Sequence, residues 1–356
     1  MLNKVDINQC IITITRNCNL RCDFCYAKKT GYIENDLIEY DNTRKIVDFC
    51  SDAKVNFIVL TGGEPTLYPN IMEVIKYIKS RTHKMMPTIA TNGIKLADFS
   101  YCKEIIDKGV GYVDISLKGR NGKECYETVG QDCFSQQMKA IHNLSALHVE
   151  FTCSMVLTHD NVNTFCEGIK SAYDNGARQF SFTFALDNEK SDVRDFKYLE
   201  ENNPFTLIDT FISQIDKLNM ITRGEWWVEY SFPMCVYTKK QLSLLEGRLA
   251  APCHIFKRNS ITFDSKMNLL PCSMHIESKM GQFGVDFSSY EEFKELIERA
   301  PYKPTMDSIS ELPSSYCSSC KHFRSCYGGC SIFWKNCSFE AFKEFKEHNG
   351  YNFTDF

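Results

Sequence analysis

Hydrophobic positions follow two alternating patterns along the first 220 residues. Short segments rich in Val, Ile, Thr and Phe are separated by longer segments with apolar residues at helical spacing. The predicted strands are CIITIT (10–15), FIVLTGG (57–63), PTIATNG (87–93), YVDISLKG (112–119), VEFTCSMVLT (149–158) and QFSFTFAL (179–186). The predicted helices cover 41–53, 70–81, 101–109, 135–147, 161–177 and 204–219. Six strand–helix units in series predict a parallel α/β sheet with right-handed crossovers, either open and doubly wound or barrel-like.

The unusual short sequences lie at the ends of these strands. A loop with three cysteines follows the first strand, TGGEP ends the second, TNG ends the third and SLKG ends the fourth. In parallel sheets, functional residues collect where strands end and the following loops begin. The chain lacks the glycine-rich turn of a dinucleotide-binding sheet and lacks a P-loop. We therefore predict that these four segments converge on one rim, which carries the chemistry.

The pattern changes after residue 220. The next 30 or so residues are aromatic and irregular, and the chain from Cys253 to Cys337 is dense in Cys, Gly, Pro and Ser. One further helix is predicted at 288–300. The predicted parts are a strand–helix domain (1–220), a bridging region (221–250), a cysteine-rich domain (251–340) and a C-terminal helix and tail (341–356).

Composition and charge narrow the class of protein. The chain has 356 residues and a net charge of −4, so no bulk positive field indicates a nucleic-acid or membrane partner. It has no apolar run long enough for a membrane span and no signal-peptide pattern, so we expect a cytoplasmic protein. Disulfides are rare in the cytosol, and clustered cysteines among the 18 present therefore predict metal ligands. Single cysteines are expected to pack in the core; these are Cys10, Cys50, Cys102, Cys125, Cys133, Cys153 and Cys166.

The loop after the first strand has the spacing Cys18-x3-Cys22-x2-Cys25. Three thiolates are one fewer than a tetrahedral zinc site or a fully ligated iron–sulfur cluster requires. A zinc knuckle or unrelated thiols remain alternatives, although no further Cys or His lies between Tyr26 and Cys50. A [4Fe–4S] cluster on three thiolates would keep one iron open for another ligand.

The second strand ends in Gly62-Gly63-Glu64-Pro65. Glycines allow a ligand to approach the backbone closely, and the carboxylate can bind an amine. A glycine-rich turn between a strand and a helix is the structural alternative. Together, the three-cysteine spacing, Phe24 before the third cysteine and the GGEP turn resemble the radical S-adenosylmethionine (radical SAM) superfamily. The resemblance covers about residues 9–220.

The resemblance implies a partial (βα)6 TIM-like barrel with a catalytic [4Fe–4S] cluster on Cys18, Cys22 and Cys25. The open iron would chelate the amino and carboxylate groups of S-adenosylmethionine. Reductive cleavage would then give methionine and a 5′-deoxyadenosyl radical that abstracts a substrate hydrogen. The cofactor-binding residues implied by the resemblance are Phe24, Gly62, Gly63, Glu64, Thr91, Asn92 and Ser116.

In that assignment Gly62, Gly63 and Glu64 meet the methionine amine. Phe24 lies by the adenine, Thr91 and Asn92 line the cavity, and Ser116 binds the ribose or carboxylate. Relatives often carry an arginine for the carboxylate at the start of the fourth helix. This chain has Ser135-Gln136-Gln137 there, so Gln136 is the candidate in that place. Lys118 is an alternative that could equally be a solvated lysine.

A second cysteine set has the spacing Cys317-x2-Cys320-x5-Cys326-x3-Cys330, followed by Cys337 and preceded by Cys253 and Cys272. Two zinc sites could use these thiols. The spacing behind such a barrel resembles the SPASM subgroup of radical SAM enzymes. The resemblance implies one auxiliary [4Fe–4S] cluster on Cys317, Cys320, Cys326 and Cys337, and another on Cys253, Cys272 and Cys330.

The match to the subgroup is incomplete at the second of these clusters. Met267 replaces an expected glycine, and no cysteine lies between Cys253 and Cys272. Cys235 is the predicted fourth ligand. His254 or His275 could serve instead, or the position could stay open for substrate. Sulfatase-maturing enzymes place a proposed aspartate base directly after the Cys272 position, and Ser273 here disfavours that activity.

Several clusters favour a net two-electron oxidation, because a cluster can accept the electron of a substrate radical. We therefore predict a radical SAM oxidoreductase that forms a thioether or carbon–carbon crosslink in a ribosomal peptide. The alternatives are a sugar or alcohol dehydrogenase, or an epimerase in which Cys235 or Cys153 returns hydrogen. A non-catalytic iron–sulfur or zinc-binding protein is a third, disfavoured by the GGEP and TNG loops.

The expected partners are a peptide or small-molecule substrate and a flavodoxin, ferredoxin or reductase as electron donor. Only nine residues precede the first predicted strand, so we expect no fused leader-binding domain. A separate leader-binding protein could take that role.

Overall fold

A computed structural model describes residues 6–28, 33–186, 196–229, 232–250 and 253–351. In these ranges ten strands form one sheet in the order β10-β9-β8-β1-β2-β3-β4-β5-β6-β7. The strands are β1 Gln9–Thr15, β2 Phe57–Gly62, β3 Met86–Thr91, β4 Tyr112–Leu117, β5 Phe151–Leu157, β6 Phe180–Phe184, β7 Trp226–Val228, β8 Ser260–Phe263, β9 Asn268–Leu270 and β10 Gly281–Gln282.

The first six strands confirm the predicted parallel series. Each pairs in parallel with the next, from β1 with β2 to β5 with β6. Because all six run the same way, their carboxyl ends lie at one edge of the sheet. The end strands β7 and β10 do not pair with each other, so the sheet is open, as a partial barrel requires.

Sixteen α-helices lie in the described ranges. They are α1 Tyr40–Asp52, α2 Ile71–Ser80, α3 Phe99–Asp107, α4 Gly122–Val129, α5 Phe134–Ala146, α6 Phe165–Asp174, α7 Phe196–Glu201, α8 Pro204–Ser213, α9 Ile215–Thr222, α10 Lys239–Leu244, α11 His254–Lys257, α12 Tyr290–Leu296, α13 Tyr302–Ile309, α14 Tyr316–Ser319, α15 Phe323–Cys326 and α16 Phe339–His348.

The helices differ from the prediction in several places, because short helices such as α7, α10, α11, α13, α14 and α15 were not predicted. Two differences lie in the strand–helix region. The single helix expected at 204–219 is two helices, α8 and α9, that meet at Gln214. The short helix α4 was not predicted, because its segment is polar and follows a glycine-rich turn. Asn121 caps it by accepting from the Glu124 amide, and Gly130 ends it at a φ of 76°.

The cysteine-rich region joins the sheet directly. Strand β8 pairs in parallel with β1, from Gln9 with Ser260 to Ile12 with Phe263. The ring of Phe49 on α1 packs edge-to-face against Phe263, at a centroid separation of 6.4 Å, and against four further aromatic rings of this region. The hairpin of β8 and β9 therefore lies beside the strand that leads into the three-cysteine loop. The predicted domain boundaries stay predictions.

The single cysteines are fully buried, as predicted for core residues. Two of them, Cys125 and Cys133, pack with Leu20 and Cys22 in a small apolar cluster beneath the three-cysteine loop. None of the helices in the described ranges is both long and apolar enough to cross a bilayer.

Candidate active site

Short backbone contacts hold the three-cysteine loop against the turn after β2. The Gly63 amide donates to the Thr15 carbonyl and the Glu64 amide to the Asn17 carbonyl, both at 2.8 Å. A Cβ atom at position 63 would lie 2.3 Å from the Asn17 oxygen, and one at position 62 would lie 2.0 Å from the Thr15 oxygen. Both positions therefore require glycine, because the two backbones approach too closely for a side chain.

The three thiols of this loop are reduced and only partly shielded. Cys18 and Cys25 are half-buried, Cys22 is buried, and none forms a disulfide. The Leu20 amide donates to the Cys18 sulfur at 3.4 Å. Desolvation raises the pKa of the Cys18 thiol to about 11, and the positive charge of Lys118 opposes that rise. A bound metal would supply the charge that a buried thiolate needs.

The donor set fits an iron–sulfur cluster. In the described part of the chain, no three His, Cys, Asp or Glu side chains are grouped closely enough to hold one metal ion. A [4Fe–4S] cluster makes a different demand, because each thiolate binds a separate iron. Three free cysteines on one short loop, facing an open cavity, meet that demand.

The thiols open onto a cavity of about 260 Å³ at the carboxyl ends of the strands. Six of the seven residues that the resemblance assigned to the cofactor line this cavity with them: Phe24, Gly62, Gly63, Thr91, Asn92 and Ser116. The structure thus brings together the four strand ends that the sequence predicted to converge. The ligand that each residue binds stays a prediction.

Glu64 has a different position from the one expected of an amine ligand. It is 1% exposed and is not among the residues that line the cavity. Its Oε1 accepts from the Thr66 amide at 3.0 Å and from the hydroxyls of Thr66 and Thr91 at 2.6 Å. Its Oε2 accepts from the Asn92 amide at 2.7 Å. Glu64 therefore ties the end of β2 to the end of β3.

Gln136 also lies away from the cavity, half-buried in the first turn of α5. Its neighbour Gln137 is fully buried and reaches the site. The Gln137 side chain donates to the carbonyls of Asn92 and Ser116 at 2.8 Å and accepts from the Lys118 amide at 3.1 Å. It thus joins the ends of β3 and β4. The sequence did offer a way to find Gln137. It lies three residues before Ala140, and this helical spacing places both residues on the buried face of α5.

Lys118 is buried at the edge of the cavity. It is 8% exposed, and its ammonium lies 2.7 Å from the Ser116 hydroxyl and 5.5 Å from the centre of the Phe24 ring. No carboxylate of the described residues forms an ion pair with it. A buried cation is stabilised by negative charge nearby. The carboxyl of Asp114 in the same cavity supplies part of that charge, because the charge of Lys118 lowers the pKa of Asp114.

Asp114 on β4 lines the same cavity and was not singled out from the sequence. Its Oδ1 is buried and has no hydrogen-bond partner among the described residues. Desolvation raises the pKa of this carboxyl to about 6, against the opposing hydrogen bond from Ser154. A cavity-facing carboxyl with a raised pKa is a candidate functional group. The sequence could have pointed to Asp114, because it is an acidic residue within an otherwise apolar strand.

Tyr26 connects the cavity to the cysteine-rich region. Its hydroxyl forms hydrogen bonds with Ser273 and Thr61, and desolvation raises its pKa to about 12. The same side chain lines a second cavity of about 190 Å³, which is bounded by the ends of β1 and β2 and by the β8–β9 hairpin. Tyr26 follows Cys25 and Ser273 follows Cys272, so this contact joins two cysteine loops.

Cys253, Cys272 and Cys330 form the inner cysteine group. Charge on Cys253 and Cys272 raises the pKa of Cys330, in addition to the larger effect of burial, which indicates that the three thiols are close. The two histidines considered as further ligands have other partners. A His275 ring nitrogen lies 2.8 Å from the Ser331 hydroxyl, and one of His254 lies 2.8 Å from the Asn259 side chain.

Cys235, the predicted fourth ligand of the inner group, lies beside a different set of thiols. Cys235 lines a cavity together with Cys317, Cys320 and Cys326, and we call these four residues the outer cysteine group. Cys337 is not among the residues lining that cavity. It is 4% exposed, and its thiol donates to the Phe333 carbonyl at 3.6 Å. Which thiols bind clusters stays a prediction.

Comparison with known proteins agrees with this geometry. The profile of the Radical SAM superfamily matches residues 12–172, which span β1 to α6 and include all three cysteines of the first loop. This part of the chain therefore matches the radical SAM superfamily, as its motifs predicted.

The chain spans about half the length of the curated relatives it matches. One is the probable GTP 3′,8-cyclase of Pyrococcus abyssi, which is 29% identical over 147 residues, 41% of this chain and 46% of the relative.

Two solved SPASM-domain radical SAM enzymes match nearly the whole chain in fold. One is anSMEcpe with bound AdoMet and Cp18Cys peptide, with a TM-score of 0.69 and 19% identity over 96% of each chain. The other is SuiB of Streptococcus suis bound to precursor peptide SuiA. Its TM-score is 0.67 and its identity 17%, over 92% of this chain and 72% of SuiB. The predicted fold, a radical SAM α/β sheet followed by a cysteine-rich region, is confirmed.

Proposed function

We propose that this chain is a radical SAM oxidoreductase that modifies a ribosomally made peptide. The observation that carries the proposal is the cavity of about 260 Å³ shared by three free cysteines, a buried lysine that forms no ion pair among the described residues, and a carboxylate oxygen without a hydrogen-bond donor. When bound, a [4Fe–4S] cluster and S-adenosylmethionine supply a 5′-deoxyadenosyl radical that removes hydrogen from the substrate. Cys18, Cys22 and Cys25 hold this cluster.

The cofactor end of the cavity is formed by Lys118, Ser116 and Phe24. We assign Lys118, rather than Gln136, to the carboxylate of S-adenosylmethionine. Its ammonium donates to Ser116 and retains further N–H groups for an anion. Phe24 packs beside it and offers a face for the adenine. Glu64 joins the ends of β2 and β3, and Gln137 joins the ends of β3 and β4, so these groups are in place before the cofactor arrives.

The substrate end of the cavity is formed by Asp114 and Ser154, which both line it. The free Oδ1 of Asp114 accepts a hydrogen bond from the substrate, and the raised pKa suits this carboxyl to proton transfer near neutral pH. Oxidation of a substrate radical releases a proton, and Asp114 is the nearby acceptor that we propose. The auxiliary clusters on the inner and outer cysteine groups belong to the same proposal.

A peptide substrate is favoured because both solved relatives were crystallised with a peptide and share the fold over at least 92% of this chain. A thioether or carbon–carbon crosslink is the proposed product. The small-molecule dehydrogenase stays the second candidate, since the curated relative from Pyrococcus abyssi is named for a reaction of a nucleotide, which is a small molecule. Epimerisation has less support, because neither Cys153 nor Cys235 lines the active-site cavity. The flavodoxin or ferredoxin donor and the cytoplasmic location rest on the sequence.

The test is anaerobic reconstitution with iron and sulfide, followed by dithionite and S-adenosylmethionine. We expect 5′-deoxyadenosine and methionine from the wild type and from Cys166→Ala, a matched change of a buried core cysteine. The variants Cys18→Ala, Cys22→Ala and Cys25→Ala should form neither product. Absence of 5′-deoxyadenosine from the reconstituted wild type would refute the radical reaction.

A second experiment separates the substrate classes. Synthetic peptides from short Cys-, Thr- or aromatic-rich reading frames beside the gene are incubated with the enzyme and examined by mass spectrometry. A loss of about 2 Da, for two hydrogens, supports oxidative crosslinking or desaturation. An unchanged mass with exchange of solvent deuterium into the peptide would instead support epimerisation.

A further inference from the structure

The outer cysteine group collects thiols from two distant parts of the chain. Cys235 lies in a 3₁₀ turn, Met234–Val236, which follows Pro233. Cys317, Cys320 and Cys326 come from α14, the residue after it, and α15. All four line one cavity. Four thiols that face one space are the usual donor set of a complete [4Fe–4S] cluster.

Backbone amides point at the sulfurs of this group. The Met234 amide donates to the Cys326 sulfur at 3.2 Å, across 92 residues of sequence. The His322 amide donates to the Cys320 sulfur at 3.4 Å. Hydrogen bonds to cluster sulfurs stabilise thiolates and help to set the reduction potential. The turn that carries Cys235 is therefore bonded to one of the other thiols, in addition to lying near it.

A buried lysine fixes the Cys235 turn. Lys346 on α16 is 1% exposed, and its ammonium donates to the Cys235 carbonyl at 2.6 Å. A cluster with four thiolate ligands carries net negative charge, which a buried cation stabilises. This cation lies on the side of the outer group where Cys235 enters.

Cys337 has different surroundings. Its thiol donates to the carbonyl of Phe333, one helical turn earlier, and its side chain is part of the aromatic and aliphatic core. It follows Cys330 by only seven residues, and the short 3₁₀ helix Phe333–Lys335 lies in that interval. These contacts are those of a structural core cysteine.

We propose that Cys235, and not Cys337, is the fourth ligand of an auxiliary [4Fe–4S] cluster held with Cys317, Cys320 and Cys326. The assignment rests on the proposed function only in taking the cysteine-rich region to bind clusters. It also removes Cys235 from the inner group. Cys253, Cys272 and Cys330 are then a second set of three thiols, with a position for a ligand from outside that set.

The experiment counts auxiliary clusters without using the radical reaction. In the full chain, Cys18→Ala, Cys22→Ala and Cys25→Ala are combined to remove the first cluster. After anaerobic reconstitution we expect about eight irons per chain, as two [4Fe–4S] clusters require. Adding Cys235→Ala should lower the iron and sulfide content by about four each. Adding Cys337→Ala, or the core control Cys166→Ala, should leave both contents unchanged.

A conservative variant keeps the test decisive if the alanine variant folds poorly. Cys235→Ser preserves size and can offer oxygen to the iron, so the Mössbauer spectrum of one cluster should change even where iron is retained. Cys337→Ser should give the parent spectrum. Circular dichroism establishes that the compared variants are folded. An iron loss or spectral change for Cys337 variants that equals or exceeds that of Cys235 variants would overturn the assignment.

The result is independent of the proposed reaction. If the cluster assignment is wrong, the wild type can still form 5′-deoxyadenosine, because that reaction is measured separately. Conversely, a wild type that forms no 5′-deoxyadenosine can still show the iron loss specific to Cys235.

Discussion

Replacing Glu64 by glutamine changes a carboxylate that is almost completely shielded from solvent. The side chain is 1% exposed and accepts four hydrogen bonds. Three of the donors face Oε1, and the Asn92 amide faces Oε2. A glutamine of the same shape keeps the most hydrogen bonds if its oxygen takes the Oε1 position. Its NH2 group then faces the N–H of Asn92, so that two donors meet and neither has an acceptor.

The magnitude follows from these contacts. Hydrogen bonds to a charged acceptor contribute about 1.5–3 kcal/mol each, and a buried donor left without an acceptor costs about 1–3 kcal/mol. Relief of the buried charge offsets part of this loss. We expect Glu64→Gln to lower the free energy of unfolding by about 2 kcal/mol, and Glu64→Ala by about 4 kcal/mol. These are large fractions of the stability of an ordinary domain.

The assay is guanidinium unfolding of the cluster-free chain under anaerobic, reducing conditions, followed by circular dichroism. Glu73→Gln is the matched control, because Glu73 on α2 is 55% exposed and pairs with Lys76 at 3.0 Å. That surface change should stay within about 1 kcal/mol of the wild type. If Glu64 acted only on the methionine amine, its replacement would weaken cofactor binding and leave this unfolding curve unchanged. A Glu64→Gln stability within about 0.5 kcal/mol of the control would refute the bracing role.

Three further variants test other parts of the site. Lys118→Met should weaken binding of S-adenosylmethionine by roughly 10- to 100-fold but leave binding of its decarboxylated analogue unchanged. Calorimetry with exposed Lys123→Met as control measures both, and equal losses for the two ligands would contradict the carboxylate assignment. Asp114 has a pKa of about 6 in the folded state against 3.8, so the folded state binds its proton more tightly. The ionised carboxyl therefore destabilises the fold increasingly as pH rises from about 4 to 6. Asp114→Asn should raise stability at pH 8 by about 1–3 kcal/mol relative to its effect at pH 4, and a pH-independent difference would contradict this. Gly63→Ala should separate the β2 turn from the three-cysteine loop, since its Cβ would lie 2.3 Å from the Asn17 oxygen. About four irons should be lost on reconstitution, and full iron content would refute the requirement for glycine.

The sequence predicted the strands, the three-cysteine loop and the glycine pair because each depends on local information. Apolar segments of β length bounded by turn residues identify buried parallel strands, and the six predicted strands agree with β1–β6 within about two residues. Once the strands are parallel, topology alone brings their carboxyl ends to one edge. This is why Phe24, Thr91 and Ser116 could be assigned to one cavity from their places along the chain.

Gln136 and Gln137 show what local sequence information could not decide, namely which of two adjacent side chains on α5 reaches the site. Adjacent helical residues point about 100° apart, so a one-residue error in helix phase exchanges the side chain that reaches the site for one that does not. The contacts of Glu64 were beyond local information for a related reason. The sequence supplied a carboxylate near the site, but the positions of Thr91 and Asn92 on the next strand determine what that carboxylate binds.

What the sequence by itself determined is the class of chemistry, through short-range cysteine spacings and the strand pattern. Tertiary structure alone decided which groups are neighbours: Lys118 is buried at the cavity, Asp114 faces the same cavity, and Cys235 lies beside Cys326 instead of Cys272. The physical reason is the distance along the chain over which each kind of information acts. Spacing along the chain determines which side chains lie together on one loop or one helix turn. Which distant thiols and charges share a space depends on how the whole core packs, as the bond between Met234 and Cys326 across 92 residues illustrates.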